Sequence, residues 1–257
     1  EDRLRALRAI RFAARFGFAI EPATWAAIVE SAPHLGRLSP ERVREELEKT
    51  MRQVARPAWA LERWRESGAL ATLVPALADA DPVAFATTDC LPAPVHERRA
   101  LPRLWARLAA PWLDHPRADA ERALRALRCS NHEVRWIADV VERWSRVGPE
   151  LRDALLAETP PPDARLRRWA AAIGRTSVPA VLRLAAARFA AERAAGRPAP
   201  EGARMRALYR RLVRIAYRDP IEVPDLAVDG GDLQEAGFAA GPGLGMILRR
   251  LLDLVVE

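Results

Sequence analysis

The chain has 257 residues, of which 50% are hydrophobic and 29% are charged. This composition is typical of folded globular proteins, and the length suffices for one or two domains. No apolar run approaches the roughly 20 residues that a membrane-spanning helix needs. The two cysteines, Cys90 and Cys129, are too few for a disulfide framework. These features exclude disordered, membrane-spanning and disulfide-stapled proteins, and we expect a cytoplasmic protein with reduced thiols.

Basic residues outnumber acidic residues by 41 to 34, which gives a net charge of +7, and Lys49 is the only lysine. The flat guanidinium group of arginine suits phosphates and base edges, so the charge permits a nucleic-acid partner. A GC-rich genome, which favours arginine codons, explains the same composition equally well. The positions of the arginines must therefore decide between the two explanations.

Apolar residues recur at three- and four-residue spacings in nearly every segment, and the alternating pattern of β-strands is absent. We therefore expect an all-α fold. Local signals mark several helix ends, because Gly17 and Gly68 are suited to C-terminal stops and Ser39 before Pro40 is suited to an N-cap. The first four helices are predicted at residues 2–16, 22–31, 40–53 and 57–67.

Residues 79–94 lose this periodicity and are predicted to form a loop or a domain boundary. Ser130 and Glu133 have the spacing of a capping box, which predicts a helix from there to about Val147. Prolines at 160–162 and glycines at 196 and 202 predict interruptions. Further helices are predicted near residues 163–173, 178–195 and 203–217, followed by a closing segment, 225–257, with a glycine-rich turn and a final apolar helix.

The first five residues, EDRLR, place Asp2 and Arg5 three positions apart, on neighbouring sites of one helical face. A carboxylate accepts hydrogen bonds and a guanidinium donates them, so the pair forms an acceptor–donor edge. Cytosine and adenine both present an amino donor beside a ring-nitrogen acceptor, whereas guanine and uracil present the opposite order. The pair could therefore select cytosine and adenine, or it could be an ordinary surface ion pair.

Further arginines follow on the same helix. Arg8, Arg11 and Arg15 fall within about 60° of one another at 100° per residue. Such a stripe could hold a triphosphate or an RNA backbone, although many stripes of this kind are simply solvated.

Residues 1–25, EDRLRALRAIRFAARFGFAIEPATW, closely resemble the class II tRNA nucleotidyltransferases, or CCA-adding enzymes, and their poly(A) polymerase relatives. The motif of that family is EDxxR followed by LRAxRFAARxGF. Residues 38–47, LSPERVREEL, resemble the next element of the family, a helix that supports the base-selecting turn. The resemblance is strong at both ends of the chain and weak between about 77 and 120 and between 148 and 220.

The resemblance implies roles for individual residues. Those that match Asp2 and Arg5 hold the base of the incoming CTP or ATP, and those that match Arg8 and Arg11 contact the nucleotide. Glu1 is expected to support the turn rather than to touch the nucleotide. The same supporting role is expected of two residues in the following element, Glu41 and Arg42, and an RNA-binding role is expected of Arg15.

The end of the chain resembles the tail of the same family, DGxDL followed by GxxxGPxxGxxL. Here Gly241, Gly243 and Gly245 lie in a turn that leads into a helix, and the free N–H groups at a helix start bind phosphate well. The element is also similar to a helix-hairpin-helix clamp for a nucleic-acid backbone. We expect these glycines either to bind RNA or to serve packing alone.

The family comparison predicts three parts: a neck at residues 1–78, a helical body at 79–202 and an RNA-binding tail at 203–257. In the family an α/β head with paired carboxylates precedes the neck and binds Mg²⁺, and no matching segment occurs in this chain. Asp79 and Asp81 form its only D-x-D pair, without the GS turn of that head. The pair Asp114 and His115 reverses the His-Asp order of a phosphohydrolase. We therefore expect no catalytic residue and no metal site in this chain.

The favoured interpretation is the RNA- and nucleotide-binding portion of an enzyme that adds CMP and AMP to the 3′ end of tRNA, or that polyadenylates RNA. Its expected partners are tRNA or other RNA 3′ ends, together with ATP and CTP, without a membrane. A free-standing helical RNA-binding scaffold is the main alternative, and a degenerate phosphohydrolase is a third. The sequence does not separate CCA addition from A-only or CC-only addition.

Overall fold

The computed structural model describes residues 3–94 and 96–257. Within these ranges it contains fourteen α-helices and five short 3₁₀ helices, and it has no β-strand. The all-α prediction is confirmed. None of the helices described is long and apolar enough to cross a membrane.

The α-helices follow one another with short connections. Their bounds are α1 (Leu4–Phe16), α2 (Pro22–Ser31), α3 (Pro40–Gln53), α4 (Pro57–Glu66), α5 (Ala69–Leu73), α6 (Pro82–Asp89), α7 (Ala100–Ala109), α8 (Arg117–Ala126), α9 (Asn131–Leu156), α10 (Asp163–Ile173), α11 (Val178–Ala194), α12 (Gly202–Arg218), α13 (Gly230–Glu235) and α14 (Pro242–Val256). The 3₁₀ helices are Ala32–Arg37, Pro75–Leu77, Glu97–Arg99, Ala110–Trp112 and Val223–Asp225.

The helices form two compact units. The first unit contains the chain up to Ser145 together with Arg183–Ala199, and the second contains Arg146–Leu182 together with Pro200–Glu257. Helices α9 and α11 each contribute residues to both units. The predicted division into neck, body and tail, at 78/79 and 202/203, concerns function and stays a prediction.

Helix α1 shows how the sequence builds the first unit. Leu4, Leu7 and Ile10 recur at three-residue spacing and are buried against α3 and α4. Gly17 then ends the helix with a left-handed backbone at φ 72°, which costs glycine little because it lacks a Cβ. The predicted helix and its stop are confirmed, with the first helical residue at Leu4.

A buried arginine holds three segments of the first unit together. Arg107 on α7 is fully buried, and its Nε donates a hydrogen bond to the carbonyl of Thr88 at 3.1 Å. Its two terminal nitrogens donate to the carbonyls of Met51, Val54 (3.0 Å) and Ala55 (3.0 Å). These carbonyls lie at and just beyond the C-terminal ends of α3 and α6, where helix dipoles favour a cation. Burial lowers the pKa of Arg107 to about 10, so it stays charged at neutral pH.

The predicted loop at residues 79–94 is wrong for its central part, where α6 forms. Asp81 caps this helix by accepting a hydrogen bond from the Val83 N–H at 2.9 Å. The hydroxyls of Thr87 and Thr88 donate to carbonyls one turn back, at 2.7 Å each. Eight residues are too few to show a helical period, so tertiary packing of the apolar residues and these local bonds decide the structure.

The predicted capping box at the start of α9 is confirmed, but the predicted end of the helix is wrong. Ser130 N and Oγ both donate to Glu133 Oε2, at 2.9 and 2.8 Å, and Glu133 N donates to Ser130 Oγ at 3.3 Å. The helix passes the predicted end at Val147 and continues through Pro149 to Leu156. Proline is compatible with such a continuation when the surrounding packing outweighs the lost N–H.

We predict that Arg107→Ala lowers the free energy of unfolding by about 3 kcal/mol or more, because it leaves several buried carbonyls without a donor. Urea denaturation followed by circular dichroism measures this change. Arg99→Ala, at an exposed position, is the matched control and should change stability by less than about 0.5 kcal/mol. A loss at Arg107 no larger than the control would refute its structural role.

Candidate nucleic-acid interface

Helix α1 carries most of the residues that the sequence assigns to nucleotide binding. Glu1 and Asp2 lie outside the described residues, so the carboxylate of the predicted base-selecting pair has no described position. Arg5 lies in the first turn of α1, is exposed, and lines a shallow groove with Arg3, Thr24 and Ser31. The groove runs between α1 and α2, next to the place where the motif enters the helix.

A buried ion pair fixes α1 on α3. Arg11 Nε donates to Glu46 Oε2 at 2.8 Å, and only 5% and 3% of the two side chains are exposed. Gln53, at the end of α3, accepts further hydrogen bonds from Arg11 (3.4 Å) and Arg15 (2.9 Å). The C-terminal half of α3 thus supports the C-terminal half of α1 through polar contacts.

The predicted supporting residues of α3 lie in its first turn. Glu41 and Arg42 are both exposed there, and Ser39 stands at the N-cap without a side-chain hydrogen bond. The supporting role of Glu1, Glu41 and Arg42 stays a prediction. The support that the structure does describe comes from Glu46 and Gln53, further along the same helix.

Three exposed phenylalanines, which we call the Phe ladder, continue the same surface of α1 beyond its end. Phe12, Phe16 and Phe18 are 37%, 54% and 63% exposed. Their ring centroids lie 6.1 Å (Phe12–Phe16) and 5.5 Å (Phe16–Phe18) apart. Exposed aromatic rings interleaved with cations are the usual platform for stacking nucleic-acid bases.

Arginines lie over two rings of the Phe ladder. The guanidinium carbons of Arg8 and Arg11 are 5.9 and 4.3 Å from the centroid of the Phe12 ring, and that of Arg15 is 5.2 Å from the Phe16 ring. The sequence reasoning assigned roles to the arginines and missed the rings. The sequence RFAARF indicates that two of the rings are neighbours, because Phe12 and Phe16 are four residues apart and share one helical face.

A groove of about 700 Å³ begins beside Phe18 and passes between α1, α4 and α6. Trp59 and Arg56 form part of its wall, with small alanines between them. Trp59 is partly exposed in this groove, whereas Trp64 is buried in the core. Burial raises the pKa of Glu62, which also lines this groove.

The tail glycines lie at the start of α14, after a tight turn from α13. Gly241 is the N-cap residue and Pro242 is the first helical residue, so the predicted turn does lead into a helix. A Cβ placed on Gly243 or Gly245 would have no atom within 4 Å. Packing therefore does not require glycine at these two positions, and their RNA-binding role stays a prediction.

Two of the carboxylates singled out in the sequence, Asp81 and Asp114, have structural partners. Asp81 accepts hydrogen bonds from Arg197, one of them at 3.0 Å, besides capping α6. Asp114 accepts from Arg188 at 2.6 Å, and the ring of His115 packs edge-on against Trp112. Among the described residues, no group of three or more His, Cys, Asp or Glu side chains could hold a metal ion.

The fold and this interface define an all-helical class of protein in which an arginine-rich helix is fixed on a supporting helix. Residues 17–81 match a family model described as "Probable RNA and SrmB- binding site of polymerase A". The CCA-adding enzyme of Leuconostoc mesenteroides is 51% identical over 51 residues, which are 20% of this chain and 13% of that enzyme. The CCA-adding enzyme of Geobacillus stearothermophilus is 49% identical over 51 residues, again 20% of this chain and 13% of that enzyme.

Solved structures extend the similarity to nearly the whole chain. The CCA-adding enzyme of Bacillus stearothermophilus in complex with CTP has a TM-score of 0.69 and 26% identity, covering 99% of this chain and 57% of that enzyme. The Thermotoga maritima CCA-adding enzyme complexed with tRNA has a TM-score of 0.54 and 20% identity, covering 98% of this chain and 56% of that enzyme, which shows a shared fold.

These matches confirm the resemblance to class II CCA-adding enzymes and poly(A) polymerases. The chain has the helical fold found in part of those proteins, and it spans little more than half the length of the solved relatives.

We predict that Glu46→Ala destabilises the protein by about 3 to 5 kcal/mol, because it leaves the buried Arg11 charge without its partner. Urea denaturation measures the effect, and Glu45→Ala is the matched control, since Glu45 is exposed and forms a surface ion pair with Lys49. The double variant Arg11→Met with Glu46→Leu should recover most of the loss. A small effect of Glu46→Ala would show that the pair does not hold α1 in place.

Proposed function

We propose that this chain is the base-selecting and RNA-holding portion of an enzyme that adds CMP and AMP, from CTP and ATP, to the 3′ end of tRNA. The observation that carries the proposal is the EDRLR motif leading into a helix locked on α3 by Arg11 and Glu46. It stands in a chain whose fold follows the CTP-bound CCA-adding enzyme over 99% of its length.

In this proposal Asp2 and Arg5 read the incoming base. The Asp2 carboxylate accepts from the amino group of cytosine or adenine, and the Arg5 guanidinium donates to the ring nitrogen beside it. Guanine and uracil present their donor and acceptor in the reverse order. The Asp2 carboxylate would then face an acceptor, and the Arg5 guanidinium would face a donor. The rejected bases then lose two hydrogen bonds and leave both polar groups unpaired.

Arg8 and Arg11 have different proposed roles because their surroundings differ. Arg8 is exposed beside Phe12 and can reach a phosphate or a base of the nucleotide. The motif match gives Arg11 a nucleotide contact, but its guanidinium is buried against Glu46. We therefore propose that Arg11 acts as a positioning residue, which orients α1 rather than binding the nucleotide itself.

The RNA is held, in this proposal, by Arg15 with the Phe ladder and by the tail glycines. The exposed rings offer stacking surfaces for unpaired bases near an RNA end, while Arg15 supplies charge beside them. Gly241, Gly243 and Gly245 allow a phosphate to approach the backbone N–H groups at the start of α14. Such contacts read shape rather than sequence.

The phosphoryl transfer itself is assigned to the α/β head of the parent enzyme, where paired carboxylates would bind Mg²⁺. The carboxylates described here do not fit such a site, because Asp81 and Asp114 are bonded to arginines. We also propose a cytoplasmic location, where bacterial tRNA is matured. The match to a polymerase A segment supports polyadenylation as the second candidate.

We predict that the parent enzyme, head included, adds C, C and A to a tRNA transcript that ends at the discriminator base, and then stops. Asp2→Ala and Arg5→Ala should remove discrimination between CTP and UTP while tRNA affinity stays within about twofold, because the two contacts use different atoms. Arg122→Ala, at an exposed site on α8, is the control and should change neither property. Incorporation with each nucleotide separately and together measures discrimination, and a gel-shift titration measures affinity.

The other outcomes of this experiment decide between the candidates. Runs of A from ATP alone would identify a poly(A) polymerase. Tight, salt-dependent RNA binding without incorporation would favour a free-standing scaffold. Equal loss of discrimination and tRNA affinity in the Asp2 and Arg5 variants would contradict the assigned base edge.

We predict that Gly245→Ala stabilises the chain by about 0.5 to 1 kcal/mol and weakens RNA binding severalfold. Alanine is the better helix former, and its methyl group meets no atom of the chain but would meet an approaching phosphate. Thermal unfolding and RNA titration measure the two effects. Gly230→Ala, also with open space around the new methyl group, is the control and should leave RNA binding unchanged. Unchanged RNA affinity in Gly245→Ala would favour a purely structural turn.

A further inference from the structure

Helix α12, in the second unit, carries four arginines at every fourth position, which we call the α12 arginine stripe. They are Arg206, Arg210, Arg214 and Arg218, and all four are exposed. The helix, GARMRALYRRLVRIAYR, contains no acidic residue. Residues four apart on a helix are neighbours, and like charges at this spacing destabilise it. Repulsion between the four arginines therefore lowers the stability of this helix.

The four arginines of the α12 arginine stripe differ from the other two arginines on the helix. Arg204 donates to the carbonyls of Leu155 (3.0 Å) and Ala157 (2.6 Å), and Arg211 donates to Pro161 (3.1 Å) and to Asp163. These two arginines bind the end of α9, the segment after it and the start of α10. Within the described part of the chain, the stripe arginines form no ion pair or side-chain hydrogen bond.

The Asp163 carboxylate, which lies near Arg214, is already bonded to Arg211. The opposite side of the helix is buried, because Met205, Leu208 and Leu212 lie in the core of the second unit. The apolar side of α12 is thus used by the fold, and the α12 arginine stripe is left for another purpose.

The residues between the stripe arginines keep this face open. At 100° per residue the four arginines span about 120° of the helix surface, and Ala203, Ala207 and Tyr217 fall in the same arc. All three of these are exposed as well. Ala207 also lines a surface depression with Arg210 and Arg214, so a ligand can approach the helix closely between the guanidinium groups.

The spacing of the charges matches a polyanion. Four residues of α-helix rise about 6 Å, so the α12 arginine stripe extends about 18 Å in steps of about 6 Å. Successive phosphates along a nucleic-acid strand are separated by a similar distance. Each guanidinium presents paired donors that suit a phosphate. A lipid surface fits less well, because a membrane-bound helix needs an exposed apolar face and that of α12 is buried.

We propose that the α12 arginine stripe binds the sugar-phosphate backbone of one RNA strand, with about one arginine to each phosphate. This inference rests on the proposed function, since it names where in the second unit the RNA is held. The contact is independent of base sequence, because phosphates are the same at every nucleotide. It is separate from the glycine turn at the start of α14, which lies elsewhere in the sequence of the same unit.

The test is a quadruple variant, R206Q/R210Q/R214Q/R218Q, in the full chain. Glutamine keeps the length and the helix propensity of the side chain and removes only the charge. The matched control changes four exposed arginines of the first unit, R37Q/R98Q/R122Q/R135Q, so that the net charge falls equally. Binding of a tRNA transcript that lacks its CCA end is titrated at salt concentrations from 50 to 300 mM. Circular dichroism and urea denaturation check that both variants fold.

The salt dependence distinguishes the outcomes. Loss of four phosphate contacts should reduce the slope of log affinity against log salt by about 3 in the stripe variant, and lower the affinity more than tenfold near 100 mM salt. The control should lose far less. An equal loss in both variants, or an unchanged slope in the stripe variant, would overturn the inference.

Failure of the proposed function gives a different result from failure of this inference. If the unaltered chain does not bind the transcript at all, the RNA-holding function fails. If it binds and the stripe variant binds equally well, only the α12 site is wrong. Binding of both variants to phosphatidylserine vesicles is measured as well. If the four substitutions weaken binding to vesicles more than binding to RNA, the RNA assignment is also overturned.

Discussion

The buried ion pair between Arg11 and Glu46 is the constraint on which the proposed site depends. Burying two charges is unfavourable unless they face each other closely, and here Nε and Oε2 are 2.8 Å apart with almost no solvent around them. The pair permits one register of α1 against α3, because a shift by one residue would bury Arg11 without a partner. The pair therefore fixes the position of α1 on α3, and this fixes the orientation of the exposed arginines of α1.

The same residue type has three distinct physical roles in this chain, and burial decides between them. Arg107 is fully buried and bonded to backbone carbonyls, so it joins helix ends. Arg188 is buried beside Glu192 and Asp114, so its charge is neutralised locally. Arg206 and the rest of the α12 arginine stripe are exposed and have no such partner among the residues that the structure describes. A codon bias explains how many arginines there are, but it does not explain this distribution over the surface.

Much of the fold follows from local sequence signals, and the differences have identifiable causes. The bounds of α2 and α3 were predictable because Pro22 and Pro40 mark first turns, and Gly17 ends α1 by its left-handed backbone. Helix α6 was not predictable, since its eight residues are stabilised by burial of Phe85 and by the Asp81 cap. For the site, the motif identified the arginines of α1, but it could not show that Arg11 is buried. That fact depends on Glu46, which is 35 residues away in the sequence.

Selecting a base and holding an RNA strand place opposite demands on an arginine. A base edge is recognised through the order of donors and acceptors, so the guanidinium needs a neighbouring carboxylate and a fixed helix, which is the arrangement proposed for Asp2 and Arg5 of the EDRLR motif. Phosphates are all alike, so an arginine that binds them needs only reach, exposure and the absence of a competing carboxylate. Helix α12 meets those conditions, because it carries no acidic residue, and two carboxylates near it, Asp163 and Asp219, pair with Arg211 and Arg167. Base selection should therefore be nearly independent of salt, whereas the grip on RNA should weaken steeply as salt increases.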